Sequence, residues 1–173
     1  MFNGWDTFFF LVGSSAGALI GLMFVVITLT AGQEPHRVSR GAPVYVTPIV
    51  FHFAIVLIVS AISAVPRLPP PVAAVIFFLC AIMGLAYSVV TTIRLFSSGW
   101  EDPVPGWSDK CFYGILPTMI YVALAVAAAV IPFSERKVVF AVGAIVLGLL
   151  LLGIRNAWDL ATTLAMLAHA GRR

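Results

Sequence analysis

Apolar residues in this chain fall into five long runs, each separated from the next by a short polar connector. The runs cover residues 7–30, 44–65, 72–96 and 111–132, and a fifth begins at Val138. The fifth is uniformly apolar only to Arg155 and continues as a mixed segment over 156–170. A helix needs about 20 apolar residues to cross roughly 30 Å of hydrocarbon, whereas a barrel strand needs about ten alternating ones. The predicted fold is therefore all-α. It is a polytopic membrane protein with five transmembrane helices in one integral membrane domain over residues 1–173.

The connectors set the predicted topology. Residues 66–71 form a tight proline-rich hairpin around Arg67, and 132–137 is equally short. Short connectors make antiparallel neighbours, so runs two and three pair, as do runs four and five. Lys and Arg are retained on the cytoplasmic side. With the N-terminus outside, the inside holds Arg37, Arg40, Arg94, Lys110, Arg155, Arg172 and Arg173, against Arg67, Arg136 and Lys137 outside. The count favours N-out, C-in, and the expected location is the bacterial inner (cytoplasmic) membrane. Trp5, Trp100, Trp107 and Trp158 stand at run ends or in connectors, where interfacial aromatic belts lie.

Composition agrees with this picture. The chain is 61% hydrophobic and 10% charged, where soluble domains are nearer a quarter charged. A net charge of +3 is spread over the connectors and makes no clustered patch, so no nucleic acid partner is expected. The expected partners are the lipid bilayer and, through the first helix, a second copy of the chain. Cys80 and Cys111 have no metal-ligand spacing, and Glu101, Asp102 and Asp109 match no calcium loop. No metal, cofactor or catalytic residue set is predicted.

Small and polar residues inside the runs are the candidates for function. Gly13, Gly17 and Gly21 repeat every four residues and share one helix face. In lipid such a face permits close backbone approach, either within the molecule or between copies. Gly84 and Ser88 belong to a second stripe, with Cys80 and Thr92, that either packs or lines a narrow water path. His52 is the one histidine inside a run, and an intramembrane ionisable group is a functional candidate. Its alternative is a neutral imidazole bonded to a serine or a carbonyl, with Ser63 and Ser60 nearest in phase. His36 and His169 lie in a connector and a tail, which argues against a haem ligated with His52. Pro117 marks a helix start or a kink in run four.

The densest polar cluster in any run is Arg155, Asn156 and Asp159. Arg155 and Asp159 share a face and can pair. Val138 to Arg155 is roughly 25 Å of helix, so Arg155 stands at the cytoplasmic boundary, with an amphipathic extension beyond it. The cluster either ends the span or lines the inner mouth of a pathway. Three functions follow: a homo-oligomeric channel or small-solute transport protein, a non-catalytic accessory or assembly subunit, and a membrane enzyme acting on a lipid or quinone.

Overall fold

The computed structural model describes residues 2, 4–30, 42–97, 106–133 and 135–170, and the regular structure among them is entirely helical. Five helices follow in order: α1 Asp6–Thr30, α2 Ala42–Ser63, α3 Pro70–Phe96, α4 Trp107–Val130 and α5 Glu135–Ala170. Four of them, α1, α3, α4 and α5, are long and apolar enough to cross a membrane, and α2 contributes a shorter apolar stretch over Thr47–Ser63.

Local chemistry explains where the helices begin. The Asp6 carboxylate accepts the Gly4 N–H at 3.3 Å and sits favourably in the positive first turn of α1. Prolines open α3, where a missing N–H costs nothing, so this helix starts two residues before the apolar run. Asp109 accepts the Gly106 N–H at 2.9 Å and starts α4 at Trp107, four residues ahead of the run. Between α2 and α3 the chain turns through Arg67, whose φ of 54° is left-handed. α5 has no break at Arg155; it continues as one helix to Ala170.

Packing centres on α2 and α5. α1 lies along α2 and α3 lies along α4, while α5 touches α1, α2 and α4. Phe9, Phe53, Phe77, Leu124 and Leu149 are fully buried at these contacts. The outer surface is apolar instead of polar: Phe10, Leu22, Val75, Ile93, Val126 and Phe140 are all exposed. Patches on that scale are unfavourable in water and natural against lipid tails, and helices satisfy their own backbone groups there. The molecule is an all-helical bundle of membrane type.

Glycines mark the closest crossings. A Cβ on Gly13 would lie 3.0 Å from Ser60 Cβ on α2, and one on Gly153 would run into the Phe53 ring. The first glycine of the stripe is thus used inside the molecule. Among the described residues nothing lies within 4 Å of a Cβ placed on Gly17 or Gly21.

Candidate functional site

His52 stands ten residues into α2 and eleven before its end. Its side chain is 1% exposed. Nδ1 lies 2.8 Å from the Tyr121 hydroxyl of α4, itself fully buried. Tyr121 is fourteen residues after Trp107 and nine before Val130, so the pair meets in the middle part of both helices. The partner expected for His52 was a serine or carbonyl, and the structure corrects it to a phenol. Ser63, nearest in phase, donates instead to Val59 O of its own helix at 2.7 Å. Among the described residues the second ring nitrogen of His52, Nε2, is buried without a hydrogen-bond partner, as is Ser60 Oγ beside Gly13. A buried polar atom left unpaired costs about 1–3 kcal/mol, so such a site persists where something else requires it.

Tyr121 fits because α3 gives way to it. Its ring lies against Gly84, where a Cβ would overlap three ring carbons. From Gly84 the small stripe of α3 continues along α4. Ser88 Oγ lies 3.1 Å from Thr118 Oγ1, and Thr92 packs on Gly114. Thr118 Oγ1 also reaches Gly114 O at 2.9 Å, Ser88 Oγ reaches Leu85 O at 3.1 Å, and Thr92 Oγ1 reaches Ser88 O at 2.8 Å. The stripe of Gly84 and Ser88 is therefore a packed seam between two helices, with hydroxyls as its rungs.

The seam ends at an irregular turn. Residues Lys110–Ile115 of α4 are π-helical, and the Leu116 N–H bonds Cys111 O, five residues back. In an α-helix that N–H would serve Phe112 O. The donor five residues beyond Phe112 is Pro117, which has no N–H. Phe112 O is thus left without a helical donor, and Asn156 Nδ2 of α5 supplies one at 3.0 Å. In return the Tyr113 hydroxyl donates to Asn156 O at 2.9 Å. Each helix caps the other's backbone, and Asn156 is fully buried in doing so. Pro117 stands in the first turn of the regular α-helical part of α4, which begins at Leu116 as expected for a helix-start proline, and the π turn joins that part to Trp107–Asp109.

Arg155 rides on this lock. Its Nη1 donates to Asn156 Oδ1 at 3.2 Å and its Nη2 to Ser108 Oγ at 2.9 Å. The guanidinium carbon lies 3.6 Å from the centre of the Phe112 ring, a close cation–π contact. The pairing of Arg155 with Asp159 is not made among the described residues, because the guanidinium turns towards α4 instead. Asp159 is half-buried, and its carbonyl receives the Thr162 and Thr163 hydroxyls. Trp107 and Trp158 are both 73% exposed at this end of the bundle.

The structure thus brings Gly84 to the His52–Tyr121 pair, with Ser88 one turn along. It gathers Arg155 and Asn156 with Ser108, Phe112 and Tyr113, and it leaves Gly17 and Gly21 apart on α1. Cys80 is buried and Cys111 half-buried, both as free thiols. Among the described residues no three His, Cys, Asp or Glu side chains gather as metal ligands. His36, Arg37, Arg40, Trp100, Glu101 and Asp102 lie outside the described residues. Tyr121 and Tyr113 escaped the sequence reading. The available signal was that each carries a hydroxyl inside an apolar run, where a buried phenol needs a partner. Comparison with known protein families, with curated proteins and with solved structures finds no match.

Proposed function

We propose that this protein is a small membrane transport protein whose polar pathway lies within one protomer. The observation that carries this reading is His52: an ionisable side chain, buried halfway along its helix, with one ring nitrogen on Tyr121 and the other unpartnered among the described residues. Ionisable groups at such depth are expensive and mark ion or proton paths. In this proposal all five helices cross the bilayer, with the N-terminus outside. Arg94, Lys110 and Arg155 then meet the cytoplasm, with Trp107 and Trp158 at headgroup level. The test is flux in liposomes reconstituted with the full chain. Wild type should pass a small ion or solute above the level of empty liposomes, and His52→Ala should abolish it. Asp159→Asn, outside the buried pair, should retain most of it. Wild-type flux at the empty-liposome level would sink the idea.

A second reading, an accessory subunit or homo-oligomer, is favoured by Gly17 and Gly21 of α1, which among the described residues face open space. In lipid, two backbones gain packing by meeting at such a face. Mass measurement in detergent and in nanodiscs should then show more than one subunit, and Gly17→Leu should reduce it. A monomeric wild type in both media defeats self-association.

A further inference from the structure

We infer that the species His52 accepts is a proton, delivered from the end of the bundle that carries Arg155. This rests on the transport reading and narrows it.

Packing limits what can reach His52. Tyr121 is seated directly on Gly84, Thr92 on Gly114, and Phe53 on Gly153. At these three crossings the helices meet too closely for a hydrated ion or an organic solute to pass between them. A proton needs no such passage, because hydroxyl groups and single waters can hand it on.

The pair itself suits both charge states. A phenol both donates and accepts. With neutral His52, the Tyr121 O–H donates to Nδ1. With the imidazolium, Nδ1–H donates to Tyr121 Oη. The 2.8 Å contact therefore survives protonation at Nδ1 itself, since a phenol, unlike a carbonyl, can also donate to the bare nitrogen. The step forms one N–H bond at Nδ1 and breaks one O–H bond at the donor: Tyr121 passes its phenolic proton to Nδ1 and takes a replacement from the hydroxyl or water behind it, while Nε2 keeps the hydrogen it already carries. Nε2 is then left free to bond water or the next carrier.

The direction follows from the α3–α4 seam, whose two halves differ. From Gly84 towards Phe96 it presents Ser88, Thr92 and Thr118, and beyond them the Tyr113–Asn156 lock. Thr118 Oγ1 has two acceptors within reach, Gly114 O and Ser88 Oγ, so its proton can switch between them. On the other half, Ala73, Phe77 and Ala81 of α3 and Leu124 and Ala128 of α4 are buried and apolar, and with them the seam offers the Cys80 thiol but no hydroxyl. The other titratable groups at this depth are Tyr121 on α4 and Cys80 and Tyr87 on α3; Tyr87 stacks on Phe51, the neighbour of His52. Among the described residues α1 and α5 bring none there, and no carboxylate lies near to hold the charge instead.

The experiment uses the full chain with His36→Gln and His169→Gln, so that His52 is the one histidine. It is reconstituted in liposomes, with orientation assigned by labelling a cysteine placed at Ser97. One side is acidified rapidly, and the imidazolium is followed by time-resolved infrared absorption. Acid on the Arg155 side should load His52 at least about a hundredfold faster than acid on the other side, and Thr118→Val should slow that loading by about the same factor, the low end of what one positioned proton carrier contributes. Equal rates from both sides, faster loading from the far side, or no imidazolium would overturn the inference. Solute flux without imidazolium defeats it and leaves the transport reading standing. Imidazolium with flux at the empty-liposome level does the reverse.

Discussion

Asn156→Leu should destabilise the bundle by about 2 kcal/mol, towards the upper end of what one interhelical hydrogen bond contributes in a membrane. Most such bonds are worth less, because the backbone groups they touch remain bonded within their own helix. Here that fallback is missing. With the π turn kept, Phe112 O loses Asn156 Nδ2 and has no other donor. With the turn relaxed to an α register, the Leu116 N–H returns to Phe112 O, and Tyr113 O then faces Pro117, which has no N–H. No register gives α4 a complete set. Arg155 also loses its contact with Asn156 Oδ1. Asn156→Asp separates the two losses: it keeps an acceptor for Arg155 and removes the donor to Phe112. Reversible unfolding in mixed detergent micelles should rank both variants below wild type. A wild-type midpoint for Asn156→Asp would show that the donor to Phe112 carries nothing.

The helices themselves were legible, and the reason is physical. Lipid demands unbroken apolar stretches of a set length, so composition alone marks them. Their ends were less so. Asp109 and the prolines at the start of α3 set helix starts through capping and φ preference, and both fall outside an apolar run. Arg155 looked like a point where run five changes character. The backbone does not change there; α5 continues, and what alters is the neighbour it meets.

The site was half legible. His52 stands out because an imidazole in an apolar run is costly. Its partner does not, since Tyr121 lies 69 residues away on another helix. Runs that are apolar all round carry no strong face, so nothing in their periodicity says which side turns inward. The same limit hid the fate of the glycines. Gly13 and Gly17 share a face on paper, yet a Cβ on Gly13 would meet Ser60 and one on Gly17 would meet nothing within 4 Å among the described residues. Arg155 and Asp159 were paired by spacing alone, and a phenyl ring, a serine and an asparagine outcompeted the carboxylate.

Two glycine substitutions of identical chemistry should therefore move stability in opposite directions. Gly84→Ala puts a methyl into the Tyr121 ring, and overpacking of that kind costs about 1–3 kcal/mol. Gly17→Ala puts the same methyl into open space, where the only term is the better helix propensity of alanine, worth up to about 1 kcal/mol. In dilute detergent the first should lower the unfolding midpoint and the second should leave it unchanged or raise it. The cause at Gly84 is checked by a double-mutant cycle with Tyr121→Leu. That single variant costs a cavity and the bond to His52, but it clears the space the alanine needs. The double variant should then be more stable than the sum of the two losses predicts, by about 0.5–3 kcal/mol for residues in direct contact. Simple additivity would mean that the alanine acts elsewhere, and Gly84 would lose its role of seating Tyr121 against His52. Flux separates the readings further: Gly84→Ala shifts the ring that holds Nδ1, so it should lower transport even where the protein remains folded, whereas Gly17→Ala should not.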